Sequence, residues 1–95
     1  MWVALCRVEL HFPGARSLKD KRRLLRRASE RAHARWRVSI AEVGHQDLHQ
    51  RAVLGVAAVS GDRGELERLL NGLRRLFDEQ VDGYVAGWDE DIQGF

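Results

Sequence analysis

The sequence predicts an α+β domain in which two helices pack on one face of a four-stranded antiparallel sheet. Three observations lead to this fold. Residues 2–12 alternate between apolar and mixed side chains, which is typical of a strand with one buried face. Residues 17–35 and 62–81 repeat their apolar side chains at helical spacing. Residues 51–59 are a continuous apolar run, which suits a central strand that is apolar on both faces.

The first strand and the first helix are bounded by turn and cap residues. Pro13 and Gly14 end the strand, and Ser17 is a good N-cap with Asp20 three residues later, which is capping-box spacing. The helix is predicted to run to about Arg35. The apolar positions of the strand are Trp2, Ala4, Cys6, Val8, Leu10 and Phe12. The apolar side of the helix consists of Leu18, Leu24, Leu25, Ala28, Ala32 and Trp36.

One charged residue, Lys21, lies inside the apolar arc of this helix. A lysine there must extend its ammonium group to the surface or meet an acceptor. We expect a buried structural ion pair, in which Lys21 meets Glu42 or another strand carboxylate.

The rest of the chain is predicted to be strand, strand, helix and strand. Residues 37–43 and 51–59 are rich in β-branched residues, and residues 44–50 between them form a hairpin connection. Asp62 and Glu65 repeat the capping-box spacing before the second helix. A last strand begins at about Tyr84, after Gly83. The apolar stripe of the second helix is Leu66, Leu69, Leu70, Leu73, Leu76, Phe77 and Val81.

The order β-α-β-β-α-β, with short connections and right-handed crossovers, predicts a single ferredoxin-like domain over residues 1–95. In its core we expect Cys6, Val8, Leu10, Leu54 and Val56 to pack against Leu25, Leu69 and Leu73. The other face of this sheet has no helix to cover it, although the central strands carry apolar side chains on both sides. An uncovered apolar face indicates a partner, so we expect a homodimer through the open sheet face, or a lid made by the C-terminal tail.

Charge is strongly segregated along the chain. Residues 1–51 contain 12 Lys+Arg and 5 Asp+Glu, a net charge of +7, and residues 52–95 contain 4 and 9, a net charge of −5, which together give the formal +2. Within residues 16–37, ten basic side chains stand against two acidic ones. A local field of this strength steers a polyanionic partner.

The basic residues of the first helix are therefore the candidate binding surface. They would contact the phosphates of structured RNA or of a ribosome, which needs no base-reading motif. An acidic protein surface bound by a dimeric adaptor is the alternative. Only two of the 16 basic residues are lysines, so compositional bias and a merely solvated helix face also stay open. The candidate nucleic-acid-binding residues are Arg16, Lys19, Arg22, Arg23, Arg26, Arg27 and Arg31.

Several classes of function find no support in the sequence. No apolar run approaches the ~20 residues of a membrane span, and no charged leader precedes the first apolar stretch. Cys6 is the single cysteine, so no internal disulfide forms, and we expect a cytoplasmic protein. Cys6 itself is expected to pack as a small apolar side chain. Residues 51–57 contain no aromatic ring, so stacking of bases on the sheet is not expected.

The loop at residues 12–17 offers backbone N–H groups and Arg16 at a helix start, which is a plausible anion site. Acylphosphatases use a comparable loop with an arginine on a similar fold. They also need an asparagine to orient water, and the single asparagine here, Asn71, falls within the second helix. A small anion-binding enzyme is therefore a distant third interpretation, and we expect no catalytic residue.

The loop after the second strand alternates three side chains of the types that bind metals, His45, Asp47 and His49, with Glu42 nearby. We expect structural roles instead, with Asp47 capping loop amides and His45 packing or accepting hydrogen bonds, and a partner contact as the other alternative. No metal and no cofactor are expected.

Two blocks of the sequence resemble the YlxP family of small bacterial proteins. They read Ser17-Leu18-Lys19-Asp20-Lys21-Arg22-Arg23 and Val38-Ser39-Ile40-Ala41-Glu42-Val43, the latter followed by His45-Gln46-Asp47-Leu48 and Gln50-Arg51-Ala52-Val53-Leu54-Gly55-Val56-Ala57. The resemblance covers roughly residues 3–81 and departs at His49, where a bulky aromatic is more typical, and at residues 85–95. It implies a ferredoxin-like domain and, because YlxP-like genes tend to lie beside genes for initiation and ribosome-maturation factors, a setting in translation. We expect a non-enzymatic binding protein.

Overall fold

The computed structural model describes residues 1–95 and contains the predicted elements in the predicted order. They are β1 (Trp2–His11), α1 (Leu18–His33), β2 (Ser39–Gly44), β3 (Arg51–Ser60), α2 (Arg63–Gln80) and β4 (Tyr84–Gly94). The strands form one antiparallel sheet in the order β2-β3-β1-β4, with both helices packed on one face. This is the ferredoxin-like α+β fold.

The helix-covered face contains the core because alternate residues of each strand point toward the helices. Val8 and Leu10 of β1 are fully buried, and so are Leu54 of β3 and Leu73 of α2. The packing predicted from the sequence is therefore confirmed, and the apolar stripe of α2 is buried from Leu66 to Phe77.

The remaining positions of the strands lie on the opposite side of the sheet, which we call the open face. No helix covers it. Its side chains are Val3, Leu5, Arg7 and Glu9 from β1, Val53, Gly55, Ala57 and Val59 from β3, Ala41 and Val43 from β2, and Asp89 and Asp91 from β4.

Both helices begin with the predicted caps. Ser17 Oγ accepts the Asp20 N–H at 3.0 Å, and Asp20 Oδ2 accepts the Arg16 N–H at 3.0 Å. Asp62 caps α2 by accepting the Gly64 N–H at 2.9 Å. The expectation that Glu65 completes this second cap is wrong, because its carboxylate accepts from the hydroxyl of Ser60 at 2.9 Å instead.

The end of α1 lies two residues before the predicted one, at His33. The N–H groups of Arg35 and Trp36 both donate to Ala32 O, at 3.1 and 2.9 Å, which closes the last turn. Trp36 then packs against α2 at Gly72, where a Cβ would lie 2.6 Å from Trp36 Cζ2. The two helices thus meet where α2 lacks a side chain.

The ion pair predicted for Lys21 is present, and it holds α1 to the β2–β3 connection. Lys21 is 1% exposed, and its Nζ lies 2.8 Å from Glu42 Oε2. The same Nζ donates to His45 O at 2.8 Å and to Arg51 O at 3.1 Å. A buried ammonium group with these acceptors is well satisfied, since the charge that burial would penalise is paired and hydrogen-bonded.

The connections at one end of the sheet are tied together by hydrogen bonds. The side chain of Gln50 donates to Pro13 O and Ala15 O, each at 3.2 Å, and Phe12 N–H donates to Gln50 O at 2.7 Å. Gly83 permits the α2–β4 connection to pass close to β1, because a Cβ there would lie 2.2 Å from His11 O. The start of α1 is therefore held on a rigid frame.

Neither helix is long and apolar enough to cross a membrane.

Candidate nucleic-acid interface

The outer surface of α1 carries the basic residues because the helix turns Leu25, Ala28, Ala32 and Lys21 toward the sheet. All seven candidate residues are exposed, and the helical pattern predicted this for the six that follow Ser17. They differ, however, in whether their side chains contact other groups of the chain.

Three of the seven have partners within the chain, two of them at the end of α2 or just after it and one within α1. Arg27 NH1 lies 3.6 Å from Asp82 Oδ2, and Arg31 donates to the backbone carbonyl of Gln80 at the end of α2. Arg23 NH2 lies 3.6 Å from Asp20 Oδ1 within α1 itself. These contacts are exposed and weak, but they draw the three guanidinium groups toward the protein.

The other four basic residues have no carboxylate within 4.0 Å of their side chains. Lys19, Arg22 and Arg26 share one outer flank of α1, since they are separated by three and four residues. Arg16 lies just before the N-cap, at the same end of the helix as Lys19. We call these four residues, Arg16, Lys19, Arg22 and Arg26, the cationic stripe.

This arrangement suits contact with a row of negative charges. Neighbouring members of a helical flank lie about 5–6 Å apart, and Lys19 and Arg26 are about 10 Å apart along the axis. A guanidinium group can donate two parallel hydrogen bonds to one phosphate, and an ammonium group adds a point charge. The stripe can therefore neutralise several phosphates of a single backbone at once.

The loop before α1 is less suited to an enzyme's anion site than its sequence suggests. The Arg16 N–H already donates to Asp20, and the Ala15 N–H donates to Phe12 O at 3.1 Å. Asn71 is exposed on α2, where its neighbours are the basic and acidic side chains of that helix's outer face. The loop's own carbonyl and carboxylate groups thus occupy donors that an anion would need.

The residues of the β2–β3 connection do not converge as ligands. His45 adopts a left-handed backbone conformation with φ of 54°, which is uncommon for a residue other than glycine. Its Nε2 lies 3.9 Å from Glu9 Oε1 on the open face, where Arg51 also donates to Glu9. No group of three His, Cys, Asp or Glu side chains has a geometry that holds a metal ion.

The sequence did not indicate the small charged cluster of Glu9, Arg51 and His45. Arg51 donates a hydrogen bond to Glu9 and so lowers the pKa of that carboxyl below its ordinary 4.5. His11 pairs with Arg51 in the β1–β3 register, and this register places Arg51 diagonally across from Glu9 on the same face of the sheet. Strand register was the missing information.

The one thiol of the chain is inert. Cys6 is buried on the covered face, and desolvation raises its pKa from 9.0 to about 12, with the carboxylate of Glu90 adding to the effect. A thiol with this pKa is protonated at neutral pH and is a poor nucleophile. Cys6 is therefore a packing residue, as expected.

Fold and surface together describe a small ferredoxin-like α+β protein with a cationic helix. The family described as "Protein of unknown function (DUF503)" matches residues 3–89, and this chain belongs to that family. It is 42% identical over 64 residues to "Uncharacterized protein YlxP" of Bacillus subtilis (strain 168), which covers 67% of this chain and 70% of the relative. The resemblance to YlxP-like proteins predicted from the sequence is thus confirmed.

Proposed function

We propose that this protein binds structured RNA through the cationic stripe of α1. The observation that carries the proposal is the presence of three exposed basic side chains on α1, and of Arg16 just before it, without a carboxylate partner within 4.0 Å. Most basic side chains of α2 differ in this respect, since Arg63, Arg68 and Arg74 each have an acidic partner. Unpaired charge is concentrated on the outer surface of α1.

The chemistry of the stripe favours a phosphate backbone. A rigid helix fixes the spacing of its charges, so binding orders the side chains but no further backbone. RNA helices are recognised mostly by shape, phosphates and sugar hydroxyls, which requires no base-reading side chains. Within this proposal the protein acts by binding and not by catalysis, in the cytoplasmic location expected from the sequence.

The salt dependence of affinity measures this mechanism. If three to four phosphates are neutralised, the slope of log affinity against log salt concentration is expected to be about −2 to −3.6. Affinity should vary little with base sequence. Fragments of ribosomal RNA are the first ligands to test, because the YlxP resemblance implies a setting in translation.

The decisive variant is the double charge reversal Arg22→Glu/Arg26→Glu. Both side chains are exposed and unpaired, so the fold should be retained while RNA binding falls at least ~10-fold. The matched control is Arg68→Glu/Arg75→Glu, which makes the same change in net charge on the outer face of α2. A filter-binding or fluorescence-anisotropy titration at ~50 mM salt compares the three proteins.

Two results would overturn the proposal. One is the absence of RNA binding by the unmodified protein at ~50 mM salt. The other is an equal loss of binding in both double variants, which would show that only net charge matters. If RNA binding is absent but an acidic protein binds and is lost with Arg22→Glu/Arg26→Glu, the adaptor function becomes the better assignment.

A further inference from the structure

The centre of the open face is an apolar groove of about 560 Å³. Its floor consists of small residues, Ala41, Gly55 and Ala57. The side chains of Leu5 and Val43 project beside the floor, and these two residues are 42% and 56% exposed. Val43 leans over Gly55, where a Cβ would lie 3.2 Å from Val43 Cγ1. Soluble proteins rarely leave a concave apolar surface of this kind uncovered.

The edge of this groove carries charges of both signs that form no salt bridge within the chain. Arg7 and Asp89 are direct neighbours across the β1–β4 register, and Leu5 is opposite Asp91. Even so, no carboxylate lies within 4.0 Å of the Arg7 guanidinium group. Asp91 accepts a hydrogen bond only from Gln93. The rim therefore holds one cation and two carboxylates that are available to another molecule.

We propose that a second copy of this chain packs on the open face, sheet to sheet, about a two-fold axis. In such a dimer the same patch meets itself, so a patch must complement its own shape and charge. The open face has raised apolar side chains beside a small-residue floor. It also carries Arg7 beside Asp89 and Asp91, so each protomer can offer a carboxylate to the partner's cation.

The size of the face is also suitable. Strands of 10, 6, 10 and 11 residues, at about 4.8 Å spacing and about 3.3 Å per residue, give a sheet of roughly 600 Å² in projection. A corrugated surface of that projection has an accessible area near the ~800 Å² per partner of a standard interface. A small ligand would fill only the groove and leave the exposed Val59 on the same face in water.

The dimer and the RNA proposal are independent of each other. Both helices lie on the opposite side of the sheet, so the cationic stripe of each protomer stays exposed in the dimer. The variant Arg22→Glu/Arg26→Glu should therefore dimerise normally. Failure of one proposal leaves the other standing.

The test is sedimentation of the full chain over a range of concentrations. We expect a species of twice 10.9 kDa at micromolar concentration. Ala57→Arg, on the floor of the groove, should weaken dimerisation at least ~100-fold, whereas Ala34→Arg, at the exposed end of α1, should not. Circular dichroism and melting of each variant check that it folds.

A charge exchange provides a second and more specific measurement. Arg7→Glu should weaken the dimer, and so should Asp89→Arg/Asp91→Arg, because each leaves like charges facing across the interface. The triple variant that combines these changes should recover most of the lost affinity. These positions are at the rim, so the result remains informative if Ala57→Arg fails to fold.

Three outcomes would overturn the proposal. The first is a wild-type chain that stays monomeric at 100 µM. The second is dimerisation that is equally strong with Ala57→Arg and with Ala34→Arg. The third is a charge exchange that weakens the dimer further instead of restoring it. A monomer whose open face binds an apolar dye, with binding lost in Ala57→Arg, would assign the groove to another ligand.

Discussion

The two faces of the sheet are made by the same strands, but only one of them supplies the core. On β1, Val8 and Leu10 are 0% exposed under the helices, while Leu5 between them and the N-terminus is 42% exposed on the open face. On β3, Leu54 is buried and Val59 is 67% exposed. Backbone hydrogen bonding is common to both faces, so the difference lies entirely in what covers the side chains.

This contrast separates two tasks that a small domain must combine. The free energy of folding comes mainly from apolar area removed from water, and here that area is on the covered face and under α2. The open face contributes much less to folding of the monomer and can be shaped for a partner. Matched positions on the two faces, and on the two sides of α1, should therefore respond differently to substitution.

The largest expected effect is that of Leu73→Ala, which empties a fully buried site of the core. The variant should lose about 2–5 kcal/mol of unfolding free energy, the usual range for a cavity of this kind. Val59→Ala on the open face should lose less than about 1 kcal/mol. Urea denaturation in dilute samples, where the chain is monomeric, measures both values.

A comparable loss of stability in the two variants would show that the open face is already covered within one chain. The lid expected from the C-terminal tail is not present, because residues 84–94 form β4 and Phe95 is 94% exposed, so the cover would have to be another segment of the chain. A loss in Val59→Ala that appears only at high protein concentration would instead agree with the proposed dimer, because the dimer stabilises the folded chain by mass action.

The second prediction compares two lysines of α1 that are two residues apart. Lys21→Met removes the ammonium group that meets Glu42 and two carbonyls, and it should cost about 2–4 kcal/mol. This loss is smaller than the largest losses of stability that follow the breaking of a buried ion pair, because Glu42 is 22% exposed. Lys19→Met, at an exposed position, should change stability by no more than ~0.5 kcal/mol.

Thermal and urea unfolding of the two variants test this difference. Since methionine keeps most of the apolar stem of lysine, a loss in Lys21→Met reports on the charge and its hydrogen bonds. Equal stabilities of Lys21→Met and wild type would mean that the apolar replacement is as good as the ion pair, as happens in some proteins. The double variant Lys21→Met/Glu42→Leu then separates the contribution of the Lys21–Glu42 ion pair from that of the two carbonyl acceptors of Lys21.

Most of the fold could be predicted from the sequence because it depends on local patterns. Period-two alternation located β1, helical periodicity and cap residues located α1 and α2, and the helical angle of Lys21 indicated its buried partner. The short connections and handedness rules then left one topology. The end of α1 was missed by two residues because the closing hydrogen bonds to Ala32 carry no composition signal.

The candidate site was predicted only in outline. A helical pattern shows which basic residues are on the outer surface, but not which of them meet other parts of the chain. Arg27 and Arg31 are engaged by Asp82 and Gln80, residues about 50 positions further along the chain. The unpaired rim of Arg7 and Asp89 likewise depends on the β1–β4 register, which includes a bulge between Glu9 and Leu10. Tertiary contacts therefore decide which basic residues of α1 have partners and which charges of the rim do not.

The third prediction concerns thiol reactivity on the two faces. Burial raises the pKa of Cys6 from 9.0 to about 12, which lowers its thiolate fraction at pH 8 roughly thousandfold, and the covering helices block access. In dilute samples, where the chain is monomeric, iodoacetamide should therefore modify native Cys6 at least ~100-fold more slowly than the open-face thiol of a Leu5→Cys/Cys6→Ala variant. Fast native modification of Cys6 would contradict its place under the helices, and denaturant should remove the difference.

The smallest expected effect belongs to Glu9 at the polar end of the open face. The hydrogen bond from Arg51 holds the pKa of Glu9 below its ordinary 4.5 against the opposing effect of desolvation, and the charges of Arg51, His45 and Arg7 lower the pKa further. A carboxyl whose pKa is lower in the folded chain adds stability above about pH 4.5 and loses it as the pH falls through the folded value. Glu9→Gln should therefore lower the melting temperature slightly at pH 7, with the difference disappearing in acid. In an Arg51→Met background the pH-dependent effect of the same substitution should be much smaller, because only the charges of His45 and Arg7 then lower the pKa of Glu9. A difference that persists unchanged to low pH would assign it to packing on the open face and not to the ion pair.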